Sequence, residues 1–279
     1  LIFPRVGSGF LDVRANEGER VAGFGSEIAL GGFGTIRDDP TVVVRVFPPD
    51  LPAEPPSSRA FRLRGTSFDT YDGTRWRHGA VRERALPIEY GFHVLVRQPD
   101  PDRDPYVRIQ AEPLDGPIAF LLEDTVAVRF TQGGQIGRVA PPDALLTNAF
   151  ELRLRDVEVP SVIYEAVVSH RGEALDTLLD DDTRRHALAI PEGHERVVAL
   201  ARTLTAGAKS DAERVAILTR YLRDSGRFRY SLTITPTGDV PPLVHFLFTG
   251  RAGHCEYFAT ALAIMLRGVG IPSRNVTGF

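Results

Sequence analysis

Cys255 is the only cysteine in this 279-residue sequence, and it stands in GRAGHCEYFATALAIMLRGVGIPSRNVTGF, residues 250–279. From Cys255 onward, Phe258, Ala261, Leu262, Met265, Leu266 and Val269 fall at i+3, i+6, i+7, i+10, i+11 and i+14, the spacing of one apolar helix face. Gly250 and Gly253 precede the helix, and Gly270 and Pro272 close it, as a left-handed C′ glycine followed by a helix breaker. Cys255 is therefore expected at the helix N-terminus or one residue inside it. A thiol with a pKa near 8.5 is only a few per cent thiolate at neutral pH. A helix N-terminus carries roughly half a positive charge and favours an anion by up to about 2 kcal/mol, which lowers that pKa by about one unit. The rest of the activation needs a neighbouring imidazolium, while the N-terminal N–H groups could form an oxyanion hole for an acyl intermediate. The two glycines would let backbone and substrate approach closely.

The residues alone leave two readings open: a nucleophile, or one more small buried side chain, as most unpaired cysteines are. All seven histidines, at 78, 93, 170, 186, 194, 245 and 254, precede Cys255, and no histidine or aspartate follows it. His254 is adjacent in sequence, and adjacent helical positions do not face each other, so it is expected to shape the site entrance rather than act as base. His245 could be a base or a half-exposed structural residue. Gly253 and Tyr257 are expected to border the cleft, and Glu256 suits the helix dipole. Arg267 and Arg274 read as partners of helix-end carbonyls in preference to binders of a substrate carboxylate. Asn275-Val276-Thr277 matches a glycosylation acceptor, which a strand location would make fortuitous.

The chain around this motif divides in two. Residues 1–38 are glycine-rich and read as irregular; their glycines neither follow a clear strand nor open a helix, which argues against a phosphate cradle. Residues 39–170 read as an antiparallel β domain, with strands over 41–47, 60–71, 92–97, 106–112, 118–124, 150–159 and 162–170. In the sixth, Phe150, Leu152 and Leu154 are expected on the core and Glu151, Arg153 and Arg155 in water. Asp72-Gly73 predicts a two-residue hairpin turn that Trp76, the only tryptophan, anchors. Residues 171–193 read as a charged linker. Helices follow, with stripes at Val197, Val198, Leu200, Ala201, Leu204 and at Ala212, Val215, Ala216, Leu218, Tyr221, Leu222, the second capped by Ser210 or Asp211. An extended segment at 227–234 and a short buried piece at 241–248 lead to Cys255. The fold class is α+β. A net charge of −3 gives no reason for nucleic acid as partner, and a lone cysteine offers neither an intrachain disulfide nor a cysteine zinc site. No cofactor or metal is implied.

Gly253, Cys255, Phe258, Ala259, Arg267, Gly270, Ile271, Pro272, Arg274, Val276, Gly278 and Phe279 together closely resemble the cysteine motif of the transglutaminase-like superfamily. FRYSL and VHFLFTGRAG are similar to the approach to this motif in bacterial members, and RGTSFDTYDGTRW resembles the β region ahead of it in membrane-anchored ones of the TgpA type. The resemblance implies that residues 194–279 are the helical first half of a papain-like core, with Cys255 attacking an amide carbonyl and a histidine and aspartate following it in the chain. It also implies a protein or peptide substrate, membrane anchoring through an N-terminal part not in this sequence, and an extracytoplasmic, periplasmic location. On this view the sequence is a fragment ending before its histidine and aspartate, and inactive by itself. The alternatives are a cysteine protease or amidase of the same fold, and a non-catalytic envelope binding or scaffold module.

Overall fold

A computed structural model describes residues 27–30, 42, 44–47, 61–111, 118–132, 135–136, 143–155, 162–170, 180–233 and 238–279. One of two hydrophobic clusters lies among antiparallel sheets. One sheet runs β2 (Val44–Phe47), β9 (Tyr106–Ala111), β16 (Val162–Val168), β12 (Thr125–Gln132), β8 (Phe92–Val94) and β7 (Ile88–Glu89), with β13 (Gln135–Ile136) paired to β12. A second runs β10 (Ile118–Ala119), β15 (Leu152–Arg155), β14 (Asp143–Thr147) and β6 (Glu83–Ala85). Alternate side chains bring Ile109, Val128 and Tyr164 of the first together with Leu146, Leu152 and Leu154 of the second in one core.

The second cluster is helical. α2 (Glu195–Thr205), α3 (Asp211–Asp224) and α4 (Pro242–His245) pack with α5 (Cys255–Gly268). Ser210 caps α3 by accepting from the Glu213 N–H at 3.2 Å. α5 ends in a Schellman motif, with the Ile271 N–H on the Leu266 carbonyl (2.9 Å), the Gly270 N–H on that of Arg267 (3.0 Å), and Gly270 at φ +84°.

Several expectations are corrected. Residues 181–188 of the supposed linker form helix α1 (Asp181–Leu188), capped by Asp180, whose carboxylate accepts from the Thr183 N–H. Inside the supposedly irregular N-terminal stretch, β1 (Glu27–Ala29) pairs with β5 (Arg75–Arg77), which pairs with β4 (Thr70–Tyr71); most of residues 1–38 lie outside those described. The hairpin turn is Gly73-Thr74 rather than Asp72-Gly73. The Asp72 N–H bonds the Arg75 carbonyl, and its carboxylate accepts from the Thr74 and Arg75 N–H groups. In α3 the buried stripe is shorter than the apolar pattern: Leu218 and Leu222 reach the core, while Ala212, Val215 and Ala216 are exposed. Residues 156–159 of the sixth expected strand lie outside the described residues. Glu151 of that strand is not in water but 1% exposed, its carboxylate accepting from the Ser67 N–H at 2.6 Å and paired with Arg153 at 3.0 Å.

The two clusters are stitched together by β3 (Leu63–Phe68), which pairs with β11 (Leu121–Leu122) on one side and β19 (Asn275–Gly278) on the other. Leu63 belongs to the β cluster, whereas Phe68, Tyr71 and Trp76 belong to the helical one. Residues before the boundary read at 171–193 thus complete the core that follows it. Gly278 meets β3 so closely that an added Cβ would lie 1.8 Å from the Leu63 carbonyl oxygen; only glycine fits there.

Candidate functional site

Three turns of chain deliver Cys255. After α4 a π-helical turn (Phe246–Gly250) ends at Arg251, which takes a left-handed conformation (φ +50°) while its N–H bonds the Phe246 carbonyl at 3.0 Å. β18 (Ala252–Gly253) then pairs in parallel with β17 (Arg229–Tyr230), and His254, extended at φ −92° and ψ −175°, is the N-cap of α5. Cys255 is the first residue of the helix and half-buried. The sequence had left its place uncertain by one residue; the helix start puts the thiol at the positive end of the dipole.

The flanking glycines serve packing. A Cβ on Gly253 would come within 2.9 Å of Tyr257 Cβ and Cγ, and one on Gly250 within 2.6 Å of His245 Cε1. The space each leaves is filled by a side chain of this protein, Tyr257 at Gly253 and His245 at Gly250.

His254 and Tyr257 are interior rather than rim residues. His254 is 7% exposed, and its ring meets that of Tyr257 edge-on at 5.2 Å. No side-chain hydrogen bond caps the helix, and His254 Nδ1 lies 3.9 Å from Glu256 Oε2 without a hydrogen-bond partner among the described residues. Burial lowers the imidazole pKa, so His254 is neutral at pH 7 and supplies no imidazolium to the thiol. Tyr257 is 1% exposed against Phe246; burial first, and then the Glu256 charge, push its hydroxyl up to about 12. Burial also raises the Glu256 carboxyl to about 7. His245, half-buried over Gly250, takes the structural role.

α5 is enclosed on nearly every side, not on the single face its spacing suggested. Thr260, Ala263, Ile264 and Arg267 are buried along with Phe258, Ala261 and Met265. Three residues whose part the sequence did not reveal fix it. The Trp76 indole N–H donates to Thr260 Oγ1 at 2.9 Å, and the Asn275 amide donates to the same oxygen at 3.3 Å. A threonine set among the apolar residues Phe258 to Leu266 was the available signal, because a buried polar atom requires a partner. With its amide thus engaged and 6% exposed, Asn275 is no glycosylation acceptor. Arg267 does bind carbonyls, but from three segments: those of Ala189 (2.8 Å), Asp69 (2.6 Å) and Ser273 (2.7 Å), with its guanidinium 5.0 Å from the Trp76 ring centre. Arg274 is half-buried, its pKa lowered by burial against the opposing charges of Asp69 and Glu151. Among the described residues no group of three or more His, Cys, Asp or Glu side chains could hold a metal ion.

Residues 1–170 match the family described as the TgpA N-terminal domain, and residues 198–279 match the transglutaminase-like superfamily. The chain is 28% identical over 284 residues to a protein-glutamine gamma-glutamyltransferase of Pseudomonas aeruginosa, covering 100% of this chain and 38% of that protein. It is 36% identical over 88 residues to the uncharacterized protein YebA of Bacillus subtilis, covering 30% of this chain and 12% of that protein. It therefore spans well under two thirds of either relative. A crystal structure of the periplasmic domain of TgpA from Pseudomonas aeruginosa superposes with a TM-score of 0.67 at 25% identity, covering 92% of this chain and 81% of that one. The same domain bound to ethylmercury gives 0.67 at 24% identity, covering 91% and 81%.

Proposed function

This chain belongs to the TgpA family of transglutaminase-like proteins, and from that premise we propose that Cys255 is the nucleophile of a thiol-dependent acyl transfer on peptide or protein amides. The observation that carries the reading is the half-buried thiol at the first position of α5, delivered by β18. Its thiolate adds to a side-chain carboxamide carbonyl, and the helix N-terminal N–H groups, that of Cys255 included, receive the developing oxyanion. The C–N bond breaks, ammonia leaves with a proton, and a thioester remains. A primary amine then attacks, loses its proton and releases the thiol, giving a new amide. Water in place of the amine gives the acid.

The reaction needs a base, and we assign that role to neither upstream histidine: burial makes His254 a weaker base, and His245 is packed over Gly250. The resemblance puts the histidine and aspartate of such a site later in the chain than Cys255, so residues 1–279 alone are expected to be inactive. We assign the protein to the extracytoplasmic side, by analogy with the periplasmic domain it resembles. By the same resemblance the protein would be anchored to the membrane through an N-terminal part; no helix among the described residues is long and apolar enough to cross a membrane.

The test is turnover by the full-length protein of a glutamine peptide with a labelled primary amine, beside its Cys255→Ala variant. Amine incorporation lost in the variant supports transfer. Cysteine-dependent release to water alone makes the protein a hydrolase, and no cysteine-dependent turnover with any amide makes it a binding or scaffold module.

A further inference from the structure

Many arginines on the described surface have carboxylate neighbours. Arg75 and Arg77 pair with Glu27, Arg214 with Asp211, and Arg223 with Asp224. Arg229 and Arg251 do not: both are exposed, and neither lies within ion-pair distance of a carboxylate among the described residues. They are brought together by the parallel pairing that leads to the candidate nucleophile. Arg229 sits opposite Ala252, and its N–H donates to the Arg251 carbonyl at 2.9 Å.

Two further observations single out this pair. Arg251 occupies a left-handed position at φ +50° that ends the π-helical turn, where glycine would be free of strain, so a side chain is kept there against the local conformational preference. The local balance of charge is also one-sided. Between residues 225 and 258 the other charged side chains, histidines aside, are Arg227, Asp239 and Glu256. Arg227 is itself exposed, and Glu256 is held partly uncharged at neutral pH by its burial. The residues left undescribed in this span, 234–237, carry no charge.

We propose that Arg229 and Arg251 form a cationic rim that selects acyl-donor peptides carrying acidic side chains a few residues from the reacting amide. The proposal rests on reading Cys255 as the nucleophile. Arg251 precedes Cys255 by four residues, which limits their Cα separation to about 14 Å at full extension. An extended substrate with its reacting residue at Cys255 therefore reaches the rim with side chains about two to four positions away. Guanidinium groups suit carboxylates there because each offers a planar fork of N–H donors to the two oxygens.

Two measurements on the full-length protein separate this proposal from the reading beneath it. The first is binding of two fluorescent glutamine peptides, one flanked by glutamates and its twin by arginines, to the Cys255→Ala variant. The second is turnover of the same peptides by the protein with Cys255 intact. The acidic peptide is expected to bind at least about tenfold more tightly at low salt, with the margin shrinking as salt rises. Arg229→Glu combined with Arg251→Glu should reverse the preference while far-UV circular dichroism stays unchanged, and Arg229→Lys with Arg251→Lys should retain most of it. Equal binding of both peptides, or a preference that survives the charge reversal, overturns the proposal whether or not turnover is seen. A charge-dependent preference without cysteine-dependent turnover keeps the rim as a recognition surface and rejects the nucleophile.

Discussion

Replacing Thr260 by valine tests whether the hairpin after β3 is part of the machinery that holds α5. Valine keeps the volume and the β-branch and removes one oxygen, which now accepts from the Trp76 indole at 2.9 Å and the Asn275 amide at 3.3 Å. Trp76 is fully buried and Asn275 6% exposed, so water does not reach either donor easily. A buried donor left without a partner costs about 1–3 kcal/mol, and the longer Asn275 bond belongs at the low end. The added methyl returns about 0.8 kcal/mol at most. The expected net loss is about 1–3 kcal/mol, a large part of the roughly 5–15 kcal/mol typical of a folded domain. Urea unfolding followed by fluorescence is the assay, because Trp76 is the only tryptophan and reports from the junction itself. Trp76→Phe and the double variant, followed by circular dichroism, complete a cycle whose coupling should exceed about 0.5 kcal/mol. A Thr260→Val loss below that figure, or purely additive variants, refutes the claim that the hairpin and α5 are tied through this hydroxyl.

Three other perturbations have defined outcomes. Gly253→Ala sets a Cβ 2.9 Å from the base of the Tyr257 side chain, and should cost about 1–3 kcal/mol in urea unfolding while slowing alkylation of Cys255, since Tyr257 lies in the same first turn; unchanged stability and alkylation would show that the turn yields freely. Arg267→Met strips three backbone carbonyls of their donor, and a loss of about 3–5 kcal/mol is expected, visible as a lower thermal midpoint; a loss under about 1 kcal/mol would mean that water replaces the guanidinium. The Glu256 carboxyl is raised by burial from 4.5 to about 7, so its contribution to stability is fully present below pH 4.5 and is lost as the pH rises through 7. Glu256→Gln should flatten that part of the urea-midpoint profile, though 35% exposure of the side chain keeps the slope shallow, and an identical profile in the variant would refute the burial argument.

The Cys255 segment was legible because its information is local. Helix start, Schellman glycine and apolar period all lie within residues 250–272, and the same holds for the Ser210 cap of α3. β12 escaped because nothing in LLEDTVAVRF punctuates it. The turn into β12 is made by Asp124 in a left-handed conformation, φ +63°, where neither glycine nor proline marks the break, and Val126, Ala127 and Val128 are buried on both faces so that alternation disappears. A strand fully covered on both faces loses the period by which a half-buried one is recognised.

What no local signal could carry is the exchange of residues across the chain. β19 pairs with β3 some two hundred positions earlier, and β3 also takes Glu151, expected on the surface, as a buried acceptor. The Ser67 N–H within β3 bonds Glu151, while Val276 sits opposite Ser67 in the ladder. The strand that returns from α5 is thus hydrogen-bonded to a backbone whose other partner is a carboxylate of the β domain. Asn275 on that returning strand reaches Thr260, and Trp76 reaches the same atom from the hairpin that follows β3. A single oxygen on α5 therefore senses the strand after it and the hairpin from the other end of the sequence. The depth to which α5 is buried follows from this, because a helix apolar on one face can be covered on the others only by elements that bring their own polar partners.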